Sequence, residues 1–91
     1  MGQCEQISEL VRGFLGEEFN VSSSDDGNSF ICRPTRSEGY LIEITKDGDS
    51  FEAFKHTIFG VDFNSEKRGT IPLALGSLKE KIESEKKKWK R

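Results

Sequence analysis

The stretch YLIEITKDGDSFEAFKHTIFG, residues 40–60, decides the fold. Tyr40, Ile42 and Ile44 alternate with Leu41, Glu43 and Thr45, the period-two pattern of a strand that buries one face. Asp47-Gly48 then supplies a tight turn of the kind that joins hairpin strands. Folding there sets Ile44 opposite Phe51, Ile42 opposite Ala53 and Leu41 opposite Phe54, with Glu43 against Glu52 as the one unfavourable pair. A helix competes for residues 51–59. Asp49 with Glu52 resembles a capping box, Phe51, Phe54 and Ile58 are helically spaced, and Gly60 could end the helix. The strand is preferred, because turn and register agree.

Upstream, Phe19 and Val21 alternate with polar neighbours, and Asp26-Gly27 marks a turn before Phe30-Ile31-Cys32. A turn centred there places Val21 opposite Cys32 and Ser23 opposite Phe30, so apolar side chains share a face. Pro34, Ser37 and Gly39 break the chain before the next strand. Ahead of these strands, Ile7, Leu10, Val11, Phe14 and Leu15 recur on one side of an amphipathic helix. Gly16 is placed to stop it in a left-handed conformation.

Downstream, residues 61–69 read as a polar connection. Pro72 suits the first turn of a second helix, whose stripe is Leu75, Leu78, Ile82 and Trp89. Trp89 is expected to anchor that helix on the sheet, although Gly76 weakens its first turns. The expectation is an α+β fold with an N-terminal helix, an antiparallel three- to four-stranded meander and a C-terminal helix, packed in two layers. Residues 1–91 are expected to form a single domain, with 86–91 a fraying basic end.

Hydrophobic residues make up 33% of the 91 residues and charged residues another 33%, so the core must be small; seven Phe rings make up part of the shortfall. The net charge of -2 excludes a uniformly basic nucleic-acid binder, but it conceals a gradient. Residues 1–66 carry five Lys/Arg against thirteen Asp/Glu, a balance of -8, whereas residues 67–91 carry nine against three, a balance of +6.

Little in the sequence points to chemistry. Cys4, Cys32 and His56 are too few and too scattered for a zinc site. Cys4 stands where a helix dipole would favour its thiolate, which would allow a nucleophile pair with His56, but nothing nearby supports one. Cys32 reads as a small apolar core residue, and both thiols as unpaired in a reducing cytosol. Asp25, Asp26, Asp47 and Asp49 fall in glycine-containing turns, where Asp has a conformational reason to be. No phosphate-cradling glycine loop is present. A non-enzymatic protein with no cofactor is expected. No apolar run approaches the ~20 residues of a membrane span, and the N-terminus lacks the basic and apolar regions of a signal peptide. A cytoplasmic protein with no membrane partner follows as the expectation.

Two functions remain. Ile31, Leu41 and Phe54 point away from the side chains that would form the core, which suggests a protein-interaction surface for a second copy or a larger assembly. The alternative is nucleic-acid binding through Lys86, Lys87, Lys88, Lys90 and Arg91, with Trp89 among them. A solvated helix end that complements the helix dipole explains the same cations. Under the alternative, the full-length chain should shift labelled RNA or DNA at low salt, and deletion of residues 86–91 should abolish the shift. No shift at low salt removes that alternative.

Overall fold

In a computed structural model of the chain, residues 2–36 and 39–89 are described, with side chains described through residue 85. Helix α1 spans Gln3–Leu15 and is followed by five strands: β1 Phe19–Ser23, β2 Ser29–Pro34, β3 Tyr40–Asp47, β4 Ser50–Thr57 and β5 Gly60–Asn64. Helix α2, Ile71–Trp89, closes the order. The strands form one antiparallel sheet in sequence order, so each lies beside its neighbour in the chain.

The first helix follows its sequence closely. Ile7 and Val11 are buried, while Leu10, Phe14 and Leu15 pack at the margin of the core. Gly16 ends the helix at φ 77°, and its N–H donates to the Arg12 carbonyl. The first hairpin has the expected register, Val21 opposite Cys32 and Ser23 opposite Phe30. Its loop is held by Asp26, whose carboxylate accepts from the Ser24 hydroxyl and from the Asn28 N–H.

Residues 51–57 are strand, not helix. The second hairpin nevertheless turns one residue later than the sequence reading placed it, which shifts the cross-strand pairing by two. Asp47 pairs with Ser50 around Gly48-Asp49, and Gly48 supplies the positive φ of 62° at the first central position. Ile44 therefore lies opposite Ala53, Ile42 opposite Lys55, and Glu43 opposite Phe54 rather than Glu52. The shift keeps every side chain on its expected face and removes the like-charge pair.

The strand count is a correction. The meander has five strands where three to four were expected, because residues 60–64 pair with β4 instead of forming a polar connection. Thr57 and Gly60 make the turn: the Thr57 hydroxyl accepts from the Phe59 N–H at 3.2 Å, and Gly60 takes φ 107°. An irregularity at Lys55/His56 then lets Phe63 reach the core margin opposite Lys55.

Beyond β5 the chain stays bound to β4. The Ser65 N–H donates to the Ala53 carbonyl at 2.7 Å, and the Ser65 hydroxyl accepts from the Ala53 N–H at 2.8 Å. Phe51 and Arg68 exchange both backbone bonds further along. Ser65 is 1% exposed, so a side chain here completes a ladder that the backbone leaves unfinished.

Helix α2 starts as the sequence suggests. The Thr70 hydroxyl accepts from the Leu73 N–H, and Pro72 sits in the first turn. Gly76 faces the Phe14 ring of α1, and a Cβ there would lie 3.7 Å from it, an ordinary contact, so packing does not require glycine at this position. One core cluster joins Ile7 and Val11 of α1, Ala74, Leu75 and Leu78 of α2, and Phe19, Phe30, Cys32, Ile42, Ile44 and Ala53 of the strands. Ile82 packs at its margin, and the Trp89 side chain lies outside the described residues.

Ser65→Ala should cost about 1–3 kcal/mol, because it strands the buried Ala53 N–H without an acceptor. Denaturant titration should show a lower midpoint with an unchanged slope; an unchanged midpoint would refute the role assigned to the hydroxyl.

Candidate functional site

Alternation along the strands gives the sheet two chemically different faces. Ile42 and Ile44 are wholly buried on the core side, so Leu41 and Glu43 between them point the other way. Registers carry that face outward. Ile31 of β2, Glu43 of β3 and Phe54 of β4 form one row across the sheet, and Leu41, His56 and Val61 form the next. Ile31, Leu41 and Phe54, the three residues the sequence singled out, are thus brought together. All are half-buried, and none joins the core cluster.

A polar pair sits among them. His56 Nε2 lies 2.8 Å from Glu43 Oε1, with both side chains a little more than a quarter exposed. The Phe54 and His56 rings are tilted, their centres 6.0 Å apart. Toward the end of the sheet a shallow groove of about 450 Å³ runs over this surface, between Arg33, Leu41, His56 and Ile58. The arrangement offers apolar area around a hydrogen-bonded centre.

No family model, curated protein or solved structure matches the chain. The function is therefore read from the surfaces alone.

The other sequence candidates are scattered. Cys4 packs at the core margin on the helix side, whereas His56 belongs to the opposite face, so the structure does not bring them together as a nucleophile pair. Cys32 is wholly buried, and both cysteines are free thiols. Burial, helped by the neighbouring Cys4, pushes the Cys32 thiol up to about 12. Among the described residues, no group of three or more His, Cys, Asp or Glu side chains gathers in a way that could hold a metal ion. The side chains of Lys86, Lys87, Lys88, Lys90 and Arg91 lie outside the described residues.

The structure adds a polar cluster that periodicity did not reveal. The Tyr40 hydroxyl donates to the Glu17 carboxylate, and the Lys55 ammonium lies 5.1 Å from the Tyr40 ring centre and 5.7 Å from that of Phe63. Asp62 approaches the same ammonium at 4.0 Å. Burial first, and then the Glu17 carboxylate, holds the Tyr40 hydroxyl above its ordinary value. The group closes the end of the core beside Leu15, Ile42 and Ile82. Glu17 and Tyr40 lie 23 residues apart in sequence and the other members sit on other strands, which is why no local pattern announced the cluster.

These shifts set an alkaline limit. The folded state keeps protons that the unfolded chain releases from Cys32 and Tyr40, so stability is full below the ordinary thiol value of 9.0 and falls as pH rises toward about 12. Thermal melts across this range should show a progressive loss, and Cys32→Ala should flatten part of the slope. A melting temperature independent of pH above 9.0 would contradict the assignment.

Proposed function

We propose that the chain is a non-enzymatic protein-interaction domain that self-associates or joins a larger assembly through the sheet face bearing Ile31, Leu41 and Phe54. In this reading both helices cover the same face of the sheet, a two-layer arrangement, and a protein partner covers the other. The observation that carries it is the clustering of these three half-buried apolar side chains, in two adjacent cross-strand rows, outside the core. Exposed Val61 extends the rows on β5. Contiguous apolar area on a protein surface commonly marks a contact site. A second copy supplies the complementary surface most simply, because a two-fold interface sets the same patch against itself. The Glu43–His56 pair then acts as a register mark, since an apolar partner placed on it would have to leave that hydrogen bond intact.

Nucleic-acid binding through Lys86, Lys87, Lys88, Lys90 and Arg91 stays an alternative that rests on the charge of residues 67–91.

Sedimentation velocity or light scattering at micromolar concentration should show a dimer or larger species. Phe54→Asp should shift it to monomer with little change in melting temperature, because the ring lies outside the core. A strict monomer at the highest soluble concentration, together with no partner lost on Phe54→Asp in a pull-down, would sink the proposal.

A further inference from the structure

The turn between β4 and β5 presents two large apolar side chains to solvent, Ile58 at 81% and Phe59 at 93% exposure. The turn itself does not need them. The Thr57 hydroxyl accepts from the Phe59 N–H, Gly60 supplies the positive φ, and the central positions would accept the Asn, Asp or Ser usual at such tips. An adjacent Ile-Phe pair at a turn is therefore a feature of the surface, not of the fold.

Beside this tip lies a recess of matching chemistry. The groove of about 450 Å³ on the outward face is lined by apolar Pro34, Leu41 and Ile58 and by basic Arg33, with His56 among them. Ile58 is common to groove and tip, so the recess adjoins the protrusion. Pockets of roughly 300–1,000 Å³ hold organic groups, so a phenyl ring fits. Arg33 makes no ion pair among the described residues, and a guanidinium over an aromatic face is attracted to it. The ring of the same chain's Phe59 does not fill the groove, since it stands almost wholly in water.

Area points the same way. A specific interface removes roughly 800 Å² from each partner. Ile31, Leu41 and Phe54 are already half-buried, so the flat of the face has limited apolar surface left to give. Ile58, Phe59 and Val61 are exposed, and an aromatic side chain alone can bury roughly 150–250 Å². Self-association through this face needs the tip.

We propose that Phe59, with Ile58 behind it, inserts into the groove of a second copy of this chain, which returns its own Phe59 to the first. The inference rests on the self-association proposed above and names its anchor. Because tip and groove adjoin on one surface, a two-fold axis engages both at once and closes the dimer. A head-to-tail insertion would instead leave one tip and one groove open at the ends and keep growing. A buried aromatic anchor in a pocket, surrounded by the half-buried side chains of the face, is the arrangement that concentrates binding energy in a few residues.

The test is sedimentation velocity of the full chain over a series of micromolar concentrations. The wild-type chain should form a dimer. Phe59→Ser should weaken it about a hundredfold, because the ring is lost from both ends of the exchange, with an unchanged far-ultraviolet circular dichroism spectrum. Arg33→Glu, which sets a carboxylate against the face of the inserted ring, should weaken it as well. An equal mixture of the two variants should associate more tightly than either alone, since one copy brings an intact tip and the other an intact groove. A wild-type monomer at the highest soluble concentration overturns the self-association reading and this inference with it. A dimer that Phe54→Asp dissociates and Phe59→Ser leaves at full strength overturns the exchange alone, as does a mixture no tighter than its parts. No helix among the described residues is long and apolar enough to cross a membrane, but an apolar tip can dip into one. A monomer that binds phosphatidylcholine vesicles through Phe59 would assign the tip to lipid instead.

Discussion

The two-sidedness of β3 is the constraint on which the rest of the structure depends. It is the middle strand of five, and its side chains alternate without interruption: Ile42 and Ile44 are wholly removed from water, while Leu41 and Glu43 stand on the other face. A slip of one residue against either neighbour would exchange the two sets, exposing both isoleucines and burying a carboxylate. The neighbours are shaped to this demand. Cys32 lies opposite Ile42 and Ala53 opposite Ile44, small side chains that leave room for Leu75, Leu78, Ile7 and Val11 from the helices.

Closing the β4 side of the sheet takes more than a strand. Strand β5 is short and its pairing with β4 shifts register at Lys55/His56, and the ladder continues beyond it because Ser65 bonds Ala53 with backbone and side chain together and Arg68 bonds Phe51. The segment that leads into α2 is therefore part of the sheet's edge, which blunts an edge that would otherwise offer unpaired groups to another chain. That tether also fixes where α2 begins, and Ser77, Lys81 and Ile82 hold the helix along the β4–β5 side of the sheet.

Polar chemistry in this chain serves placement. The buried thiol of Cys32 is a protonated core group, and the Tyr40 hydroxyl is spent on Glu17. Lys55 crosses the core margin by lying over two aromatic rings, a way of keeping a cation near water while its stem covers apolar surface. On the surface the described residues leave an apolar patch with one hydrogen-bonded pair among its side chains, and an apolar tip at the turn between β4 and β5.

Local pattern was enough for much of the fold. Amphipathic spacing and Gly16 set out α1, Asp26-Gly27 set the first hairpin to the residue, and Pro72 with Leu75 and Leu78 set out α2, because each is decided by neighbours within a few positions. The candidate face was legible for the same reason: alternation along Leu41 to Ile44 separates two faces whichever strand pairs with it. What periodicity could not decide was pairing. Strand β5 has only Val61 and Phe63 to recommend it, and becomes a strand because β4 offers an edge and Thr57 with Gly60 turn the chain back without an Asn-Gly or Asp-Gly signal. The pairing of the second hairpin shifted by two residues, a change invisible to alternation because it returns every side chain to the same face. Ile58, spaced in sequence like a core residue, is left in solvent with Phe59 because the strand ends one residue earlier, at Thr57. Spacing along the chain determines which side chains share a face; only the closing of the sheet by hydrogen bonds between distant segments decides which of those faces water reaches.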